Sequence, residues 1–430
     1  MVPQQSIWVP YGSGMLEVPA LPGLSFDVVE PKPGLAIDLA SSLEECLQQP
    51  LASVPLRELA RGASKVCVVF TDSTRAAGDE VIVPAVLSEL ARAGVSAQGV
   101  TLVCGIGMHR PTTVEEKRAK LGDAVLRTYK VVDSVPQDHE RLRYLGEHDG
   151  IPLWVFDEVV DADLVIATGI VEPHQYAGYS GGRKTVAIGA GGEETIAASH
   201  SPRMLERPGV RLGNIEGNPF HELITTSAKR AGLRFIVNIV RDSLGRVVAI
   251  GAGEPTHAFA ELVSTARNMY EIQLAKQYDI VIAGVGHPKD TNLYQASRAA
   301  TYVYFAPRPV LRPGGVIIIP ARAEEGPGQG LGEQRFFEAL RRAPSPEGLI
   351  EELRNRATAA GEQRAYMLAR VLAEHSVIFV GTSCPEAVRA CHMRAAETME
   401  EALQYATAVT RRDAEVLVAP HALLCVLRGP

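Results

Sequence analysis

Short runs of β-branched and aliphatic residues recur along this chain, and stretches with apolar residues at helical spacing separate them. In the first part KVCVVF (65–70), QGVTLVCGI (98–106), DLVIATGI (163–170) and RFIVNIV (234–240) predict strands. Later, DIVIAGV (279–285), GGVIIIPA (314–321), HSVIFVG (375–381) and AEVLVAP (414–420) predict more. Between them lie amphipathic segments such as EVIVPAVLSELARAG and EPTHAFAELVSTARNMYEIQLAK. Apolar strands alternating with helices argue for parallel βαβ units, so the expected fold class is α/β.

The strand–helix pattern starts afresh at Tyr278, and a helix near 256–277 reads as the connector between two halves. The boundary therefore falls near residue 270, giving domains 1–270 and 271–430, each with a mostly parallel sheet flanked by helices. A hinge near residue 270 and an active-site cleft between the domains follow from that layout. The sequence leaves open whether the last strand, about 406–430, returns to the first domain. RAEEGPGQGLGEQ (322–334), rich in glycine and charge, reads as a loop.

At 430 residues, 46% hydrophobic and 22% charged, the chain has the composition of an ordinary soluble protein. Its net charge of −7 excludes a general nucleic-acid binder, which wants a basic face. No apolar run approaches the roughly 18 residues of a membrane span. The N-terminus lacks a basic segment followed by an apolar core, so no signal peptide is expected. The six cysteines are scattered without a CxxC pair, which fits a reducing, cytoplasmic setting.

Four segments each follow a predicted strand and end in reactive side chains. FTDSTR gives Asp72, Ser73, Thr74 and Arg75, and GIGMHRPTT gives His109 and Arg110. The third, VEPHQYAGYSGGRKTVAIGAGGEETIAASHSPR, gives Glu172, His174, Ser180, Lys184 and His200. The fourth, GVGHPKDTNLYQASR, gives His287, Lys289, Asp290, Tyr294, Gln295 and Arg298. Open α/β sheets bind ligands beyond the C-terminal ends of their strands, so these clusters are expected to converge.

Each has a plainer reading. Asp72 with Thr74 makes an ordinary turn or helix cap, and Arg75 an ordinary ion pair. His109 alone is as well explained by a satisfied buried imidazole, and His200 by a helix end hydrogen-bonded locally. His174 is better placed, on a loop rather than an apolar face. Three histidines in three loops of one half-chain suggest a shared site. Arg75 lies just past a buried strand, where a guanidinium fork suits carboxylate or phosphate.

GYSGGRKT, Gly178 to Thr185, matches the phosphate-loop pattern GxxxxGK[ST] except at its second glycine, where Arg183 stands. That glycine lets backbone N–H groups wrap phosphates, so an ATPase reading is demoted. A nucleotide monophosphate held by the glycines stays open.

Together the DSTR segment, the MHR segment, EPHQYAGYSGGRK, HSPR and LYQASR resemble the nickel-dependent lactate racemase family in order and spacing. The resemblance spans nearly the whole chain. It implies a nickel pincer nucleotide, a pyridinium mononucleotide whose two sulfur arms grip nickel, made by separate biosynthesis proteins. It implies that Lys184 tethers this cofactor and that His200 ligates nickel. His109 and His174 are then the acid and base on either side of a 2-hydroxy acid, with Arg75 on the substrate carboxylate. Asp72, Thr74, Gly178, Ser180, Gly181 and Gly182 fall on the cofactor side; Tyr294, Gln295 and Arg298 reach the substrate from the second domain. The implied activity is an isomerase, a racemase or epimerase working by reversible hydride transfer.

Two departures lie on the substrate side. Arg298 replaces the lysine the family carries four residues after the tyrosine, and the family's second-domain tryptophan has no evident counterpart. The only tryptophans are Trp8 and Trp154. Both point to a 2-hydroxy acid other than lactate, larger or with a second polar group. The competing readings are a non-redox nucleotide- or phosphate-binding protein using GYSGGRK, and a relative that keeps the fold without turnover.

Overall fold

The computed structural model describes residues 6–430 and divides into two compact units. One comprises residues 32–210 and 214–269. The other takes the described residues up to Pro31, the short stretch Arg211–Gly213, and Tyr270–Pro430. All eight strands read from the sequence form, within a residue or two at most ends.

The first unit is built on a sheet ordered Val247–Gly253, Leu233–Arg241, Leu164–Ile170, Val66–Thr71, Val100–Gly105, Lys130–Asp133. Every pairing is parallel except that of Leu233–Arg241 with Val247–Gly253. In the two central strands every residue is buried, as expected where both faces are covered. The helix Asp79–Arg92 lays Ile82, Val83, Val86, Leu87 and Leu90 into that core. The helix Val114–Thr128 starts at a capping box between Thr113 and Glu116.

The second unit holds a wholly parallel sheet ordered Arg394–Ala396, Ser376–Val380, Leu311–Pro320, Tyr278–Ala283, Glu415–Ala419, Ser25–Val28. This placement differs from the division 1–270 and 271–430: Ser25–Val28 pairs with Glu415–Ala419, which draws the N-terminal residues into the second unit. Glu415–Ala419 also pairs with Tyr278–Ala283, so the last long strand stays in the second unit. At the start of these strands Asp279 accepts hydrogen bonds from Arg312 at 2.8 Å, Arg411 at 2.9 Å and the Glu415 amide at 2.8 Å.

Two expected elements change. The connector helix runs Pro255–Tyr270 and stops there, because Glu271–Gln273 pairs as a strand with Val426–Arg428. The loop read as 322–334 ends at Gly330, whose amide donates to Glu333 at 2.9 Å to open the helix Leu331–Arg342. Among the described residues no helix is long and apolar enough to cross a membrane.

Candidate active site

Three neighbouring parallel strands of the first unit end in the three polar segments. Leu164–Ile170, Val66–Thr71 and Val100–Gly105 are adjacent in the sheet, so the segments after them emerge side by side at its C-terminal edge.

After Thr71 the chain makes a tight turn. The Asp72 carboxylate accepts from the Thr74 amide at 3.1 Å and its hydroxyl at 2.7 Å, the local turn the sequence allowed. The same carboxylate does more: its second oxygen accepts from Nδ1 of His109 at 2.5 Å. A carboxylate accepts only, so in the neutral ring the proton lies on Nδ1 and the lone pair on Nε2. Burial opposes ionisation of Asp72, but His109, Thr74 and Arg75 outweigh it and hold the carboxyl well below the usual carboxylate range.

Arg75 pairs with Glu172, at the end of the neighbouring strand. Its backbone is held from below by Lys120, whose Nζ donates to the Arg75 carbonyl at 2.5 Å. Lys120 also meets Asp79 at 2.9 Å and the Thr71 hydroxyl at 3.0 Å. Asp79 is fully buried and accepts from the hydroxyls of Thr71 at 2.7 Å and Thr168 at 2.5 Å. Neither stands out in the sequence: Lys120 sits inside the helix Val114–Thr128, and Asp79 opens the helix Asp79–Arg92, where an acidic residue is ordinary.

His174 is buried in a two-residue strand that pairs with Gly178–Tyr179. Its Nδ1 accepts from the backbone amides of Tyr176 at 3.3 Å and Ala177 at 3.2 Å. His200 caps the helix Glu193–Ser199, and its Nδ1 donates to the Ile196 carbonyl at 2.8 Å, so the lone pair of the neutral ring lies on Nε2. That is the helix-end reading, and it also fixes the tautomer a metal ligand needs. Both histidines lie against the same two rings. Tyr176 is 5.6 Å from His174 and 5.5 Å from His200, and Phe220 is 6.5 Å and 4.9 Å from them, centroid to centroid.

The glycines of GYSGGRK are required by the protein's own packing. A Cβ on Gly178, at φ +76°, would lie 2.0 Å from the Asn214 carbonyl oxygen. One on Gly181 would meet Phe259 at 2.9 Å, and one on Gly182 would meet Ile236 at 3.0 Å. The Ser180 hydroxyl donates to the Ile170 carbonyl at 2.6 Å. Lys184 follows, half-buried, on the turn Gly182–Lys184 that runs into a wide helical turn, Thr185–Gly189.

Arg183 points into the interior. Its guanidinium lies 4.1 Å from the Phe259 ring centroid and donates to the Thr225 hydroxyl at 3.0 Å and to His221 Nε2 at 3.2 Å. Burial pulls it down to about 10, still a cation at neutral pH. Burial, then Arg183, pushes the His221 imidazole down to about 4. His221 and its neighbour Asn218 were not singled out by sequence. GNPFHE carries a helix-start signal, an N-cap asparagine before proline, but nothing that marks function.

In the second unit, Asn292 opens the turn Leu293–Ala296 by accepting from the Gln295 amide at 2.9 Å. Tyr294 is buried against Phe336, with the Arg364 guanidinium 4.4 Å from its ring centroid. Arg298 is buried and donates to the Tyr302 hydroxyl at 2.9 Å. Asp290 has a structural role, its carboxylate accepting from the Gly12 amide at 2.6 Å. Of the tryptophans, Trp154 belongs to the first unit and Trp8 lies half exposed on the hairpin 7–18 of the second. Among the described residues no three His, Cys, Asp or Glu side chains are grouped to hold a metal ion.

Comparison with known proteins covers nearly the whole chain. Residues 11–213 match the family model described as the lactate racemase N-terminal domain, and 273–427 match the lactate racemase C-terminal domain. The lactate racemase of Thermoanaerobacterium thermosaccharolyticum is 31% identical over 392 residues, 90% of each chain. That of Lactiplantibacillus plantarum is 31% identical over 393 residues, again 90% of each. The solved lactate racemase apoprotein from T. thermosaccharolyticum superposes with a TM-score of 0.88 at 28% identity, over 98% of this chain and 100% of that one. A Thermotoga maritima protein shares the fold at 18% identity, with a TM-score of 0.71 over 92% of this chain and 100% of that one.

Proposed function

This chain belongs to the lactate racemase family, and on that premise we propose that it is an isomerase that inverts the carbinol carbon of a 2-hydroxy acid. What carries the mechanism is the set of imidazoles: His109 backed by a carboxylate, with His174 and His200 against one pair of aromatic rings.

The residues fit a nickel pincer nucleotide better than a bare metal ion. With no cluster of three ligating side chains among the described residues, a nickel ion would need a carrier bringing most of its own donors. A single imidazole with its lone pair on Nε2, that of His200, would complete such a set. Lys184 is the attachment point. When bound, the group supplies reversible uptake of the hydride from the carbinol carbon.

The remaining work falls to side chains. His109 presents its Nε2 lone pair to the substrate hydroxyl and takes the proton, and Asp72 stabilises the imidazolium that forms. Loss of the C–H hydrogen leaves a planar 2-keto acid whose two faces are chemically equivalent. His174 serves the oxygen on the opposite side and returns a proton there. Arg75, held by Glu172 and Lys120, exchanges part of its pairing for the substrate carboxylate and fixes the distance to the reacting carbon. Tyr294, Gln295 and Arg298 are the further substrate-side residues that the family resemblance implies. Thr74 orients Asp72, and Gly178, Ser180, Gly181 and Gly182 shape the loop that carries Lys184.

Arg298 presents a bidentate fork where a lysine would give a point charge. With no tryptophan in that part of the sequence, the substrate is a 2-hydroxy acid bulkier than lactate or bearing a second polar group. Efficient racemisation of lactate with none of larger hydroxy acids would remove that refinement.

The alternative, a non-redox nucleotide binder, loses support from the loop itself. Its serine is engaged with the Ile170 carbonyl, and its glycines are packed against Phe259, Ile236 and Asn214. The deciding experiment is intact-mass and nickel analysis after co-expression with a nickel-pincer biosynthesis system, then polarimetry on a panel of 2-hydroxy acids. One nucleotide-sized adduct with stoichiometric nickel and optical inversion supports the reading. Neither adduct nor nickel returns the chain to the anion-binding alternative, and adduct without turnover to an inactive relative.

A further inference from the structure

Two histidines of the site are supported in opposite ways. His109 donates from Nδ1 to a carboxylate, whereas His174 accepts at Nδ1 from two backbone amides. An N–H donor at Nδ1 requires a lone pair there, so the neutral His174 ring carries its proton on Nε2. At rest, His109 offers a lone pair at Nε2 and His174 an N–H at the same ring position.

The peptide that imposes this on His174 is itself held. Between Tyr176 and Ala177 one peptide group presents two ends: its N–H, on Ala177, donates to His174 Nδ1 at 3.2 Å. Its carbonyl, on Tyr176, accepts from Nδ2 of Asn218 at 2.7 Å. Asn218, peptide and imidazole therefore form one chain of hydrogen bonds, in which each donor polarises the next. Asn218 is fully buried and cannot swing away into solvent. Its amide is also oriented beyond ambiguity. Oδ1 accepts from the Phe220 and His221 amides at 3.0 and 3.2 Å as the N-cap of the helix Pro219–Arg230, which leaves the NH2 end for Tyr176 and, at 2.8 Å, the Asn214 carbonyl.

A second grip acts one residue on. His221 accepts from Arg183 at Nε2, so its Nδ1 carries a proton and donates to the Ala177 carbonyl at 3.3 Å. The first turn of one helix thus holds both carbonyls of the segment whose amides face His174.

We propose that Asn218 is a positioning residue for the racemase reaction: through the Tyr176–Ala177 peptide it keeps His174 as the Nε2–H tautomer, the resting proton donor opposite His109. The catalytic use of that proton rests on the function proposed above; the tautomer does not, and can be measured without turnover. The alternative, a purely structural Asn218, makes a different prediction, because a cap needs only the side-chain oxygen.

Asn218→Ser separates the two roles. Serine keeps an N-cap acceptor for the helix but loses the amide donor to Tyr176. The readout is the 15N spectrum of the full-length protein labelled in its imidazoles, with His174 identified by its absence in His174→Gln. Wild type is expected to show a bare Nδ1 and a protonated Nε2 at His174. Asn218→Ser, still folded by near-ultraviolet circular dichroism, is expected to show the proton shared between the nitrogens. In the cofactor-loaded enzyme kcat falls by about tenfold or more, with KM little changed. Asn218→Asp, which keeps the shape and the cap but turns an oxygen toward the Tyr176 carbonyl, lowers kcat at least as far.

A protonated Nδ1 on His174 in the wild type overturns the proposal. So does a His174 pattern in Asn218→Ser identical to wild type. A wild-type enzyme that inverts no 2-hydroxy acid, with the expected nitrogen pattern intact, removes the racemase reading and leaves the positioning chain standing.

Discussion

Asp72 and His109 form a carboxylate–imidazole pair 2.5 Å apart, although 37 residues separate them in the chain. The pair exists because Val66–Thr71 and Val100–Gly105 run side by side in parallel, so the first residues past each strand end at the same edge. The carboxylate is buried and the imidazole partly open, the order expected when one group orients and the other meets a ligand. Asp72→Asn keeps the shape but presents an amide where the ring needs an acceptor. Steady-state racemisation by the variant is expected to show kcat reduced about a hundredfold or more, at intact cofactor loading. A kcat within a factor of three of wild type would refute the orienting role.

Lys184→Ala is expected to abolish the nucleotide adduct in intact-mass spectra while leaving the fold unchanged, since this side chain is half-buried and on a turn. His200→Ala differs: the adduct remains and nickel content drops. Equal loss of adduct in both would mean that the two residues do not have separate roles.

Lys120→Met leaves Asp79 charged, fully buried and without its cation. Breaking a buried pair by removing one partner costs about 3–5 kcal/mol, and urea unfolding should show a loss of that order. The variant also frees the Arg75 carbonyl, so KM for the hydroxy acid rises more than kcat falls. Unchanged stability would refute this role for the Lys120–Asp79 pair.

His221 supplies a pH dependence with a definite sign. Its folded value, about 4, lies below the ordinary 6.5, so the unfolded chain binds the extra proton between those values. The stabilisation is complete above pH 6.5 and declines as pH falls toward 4, by on the order of 3 kcal/mol in all. Urea midpoints measured from pH 7 to pH 4 should therefore fall less steeply for His221→Gln than for wild type. Parallel curves would show that this imidazole does not set the acid limb.

The strands and the reactive loops were legible in the sequence for one reason: buried parallel strands read as unbroken apolar runs, and polar residues just beyond them stand out. DLVIATGI followed by VEPHQYAGYSGG is the clearest case. Short or half-exposed elements left no such trace. The hairpins 7–18 and 142–156 pair locally but are only partly buried, and the edge strand Ser25–Val28 and the three-residue strand Glu271–Gln273 are set by pairing partners distant in sequence. The histidines could be found but not their tautomers, because His174 is governed by backbone amides and His200 by a backbone carbonyl. Asn218, Lys120 and Asp79 act through contacts no local pattern encodes.

The strand Ser25–Val28 pairs with residues about 390 positions further along the chain. During synthesis it leaves the ribosome well before that partner and waits, at roughly 5–20 residues per second, for tens of seconds before its partner exists. The intervening first unit carries its own sheet and core and can complete itself in that interval. A waiting strand invites pairing with other nascent chains, and this one is short, edge-bound and largely exposed, with Asp27 in its middle. Its weak apolar character lowers its tendency to pair wrongly while it waits.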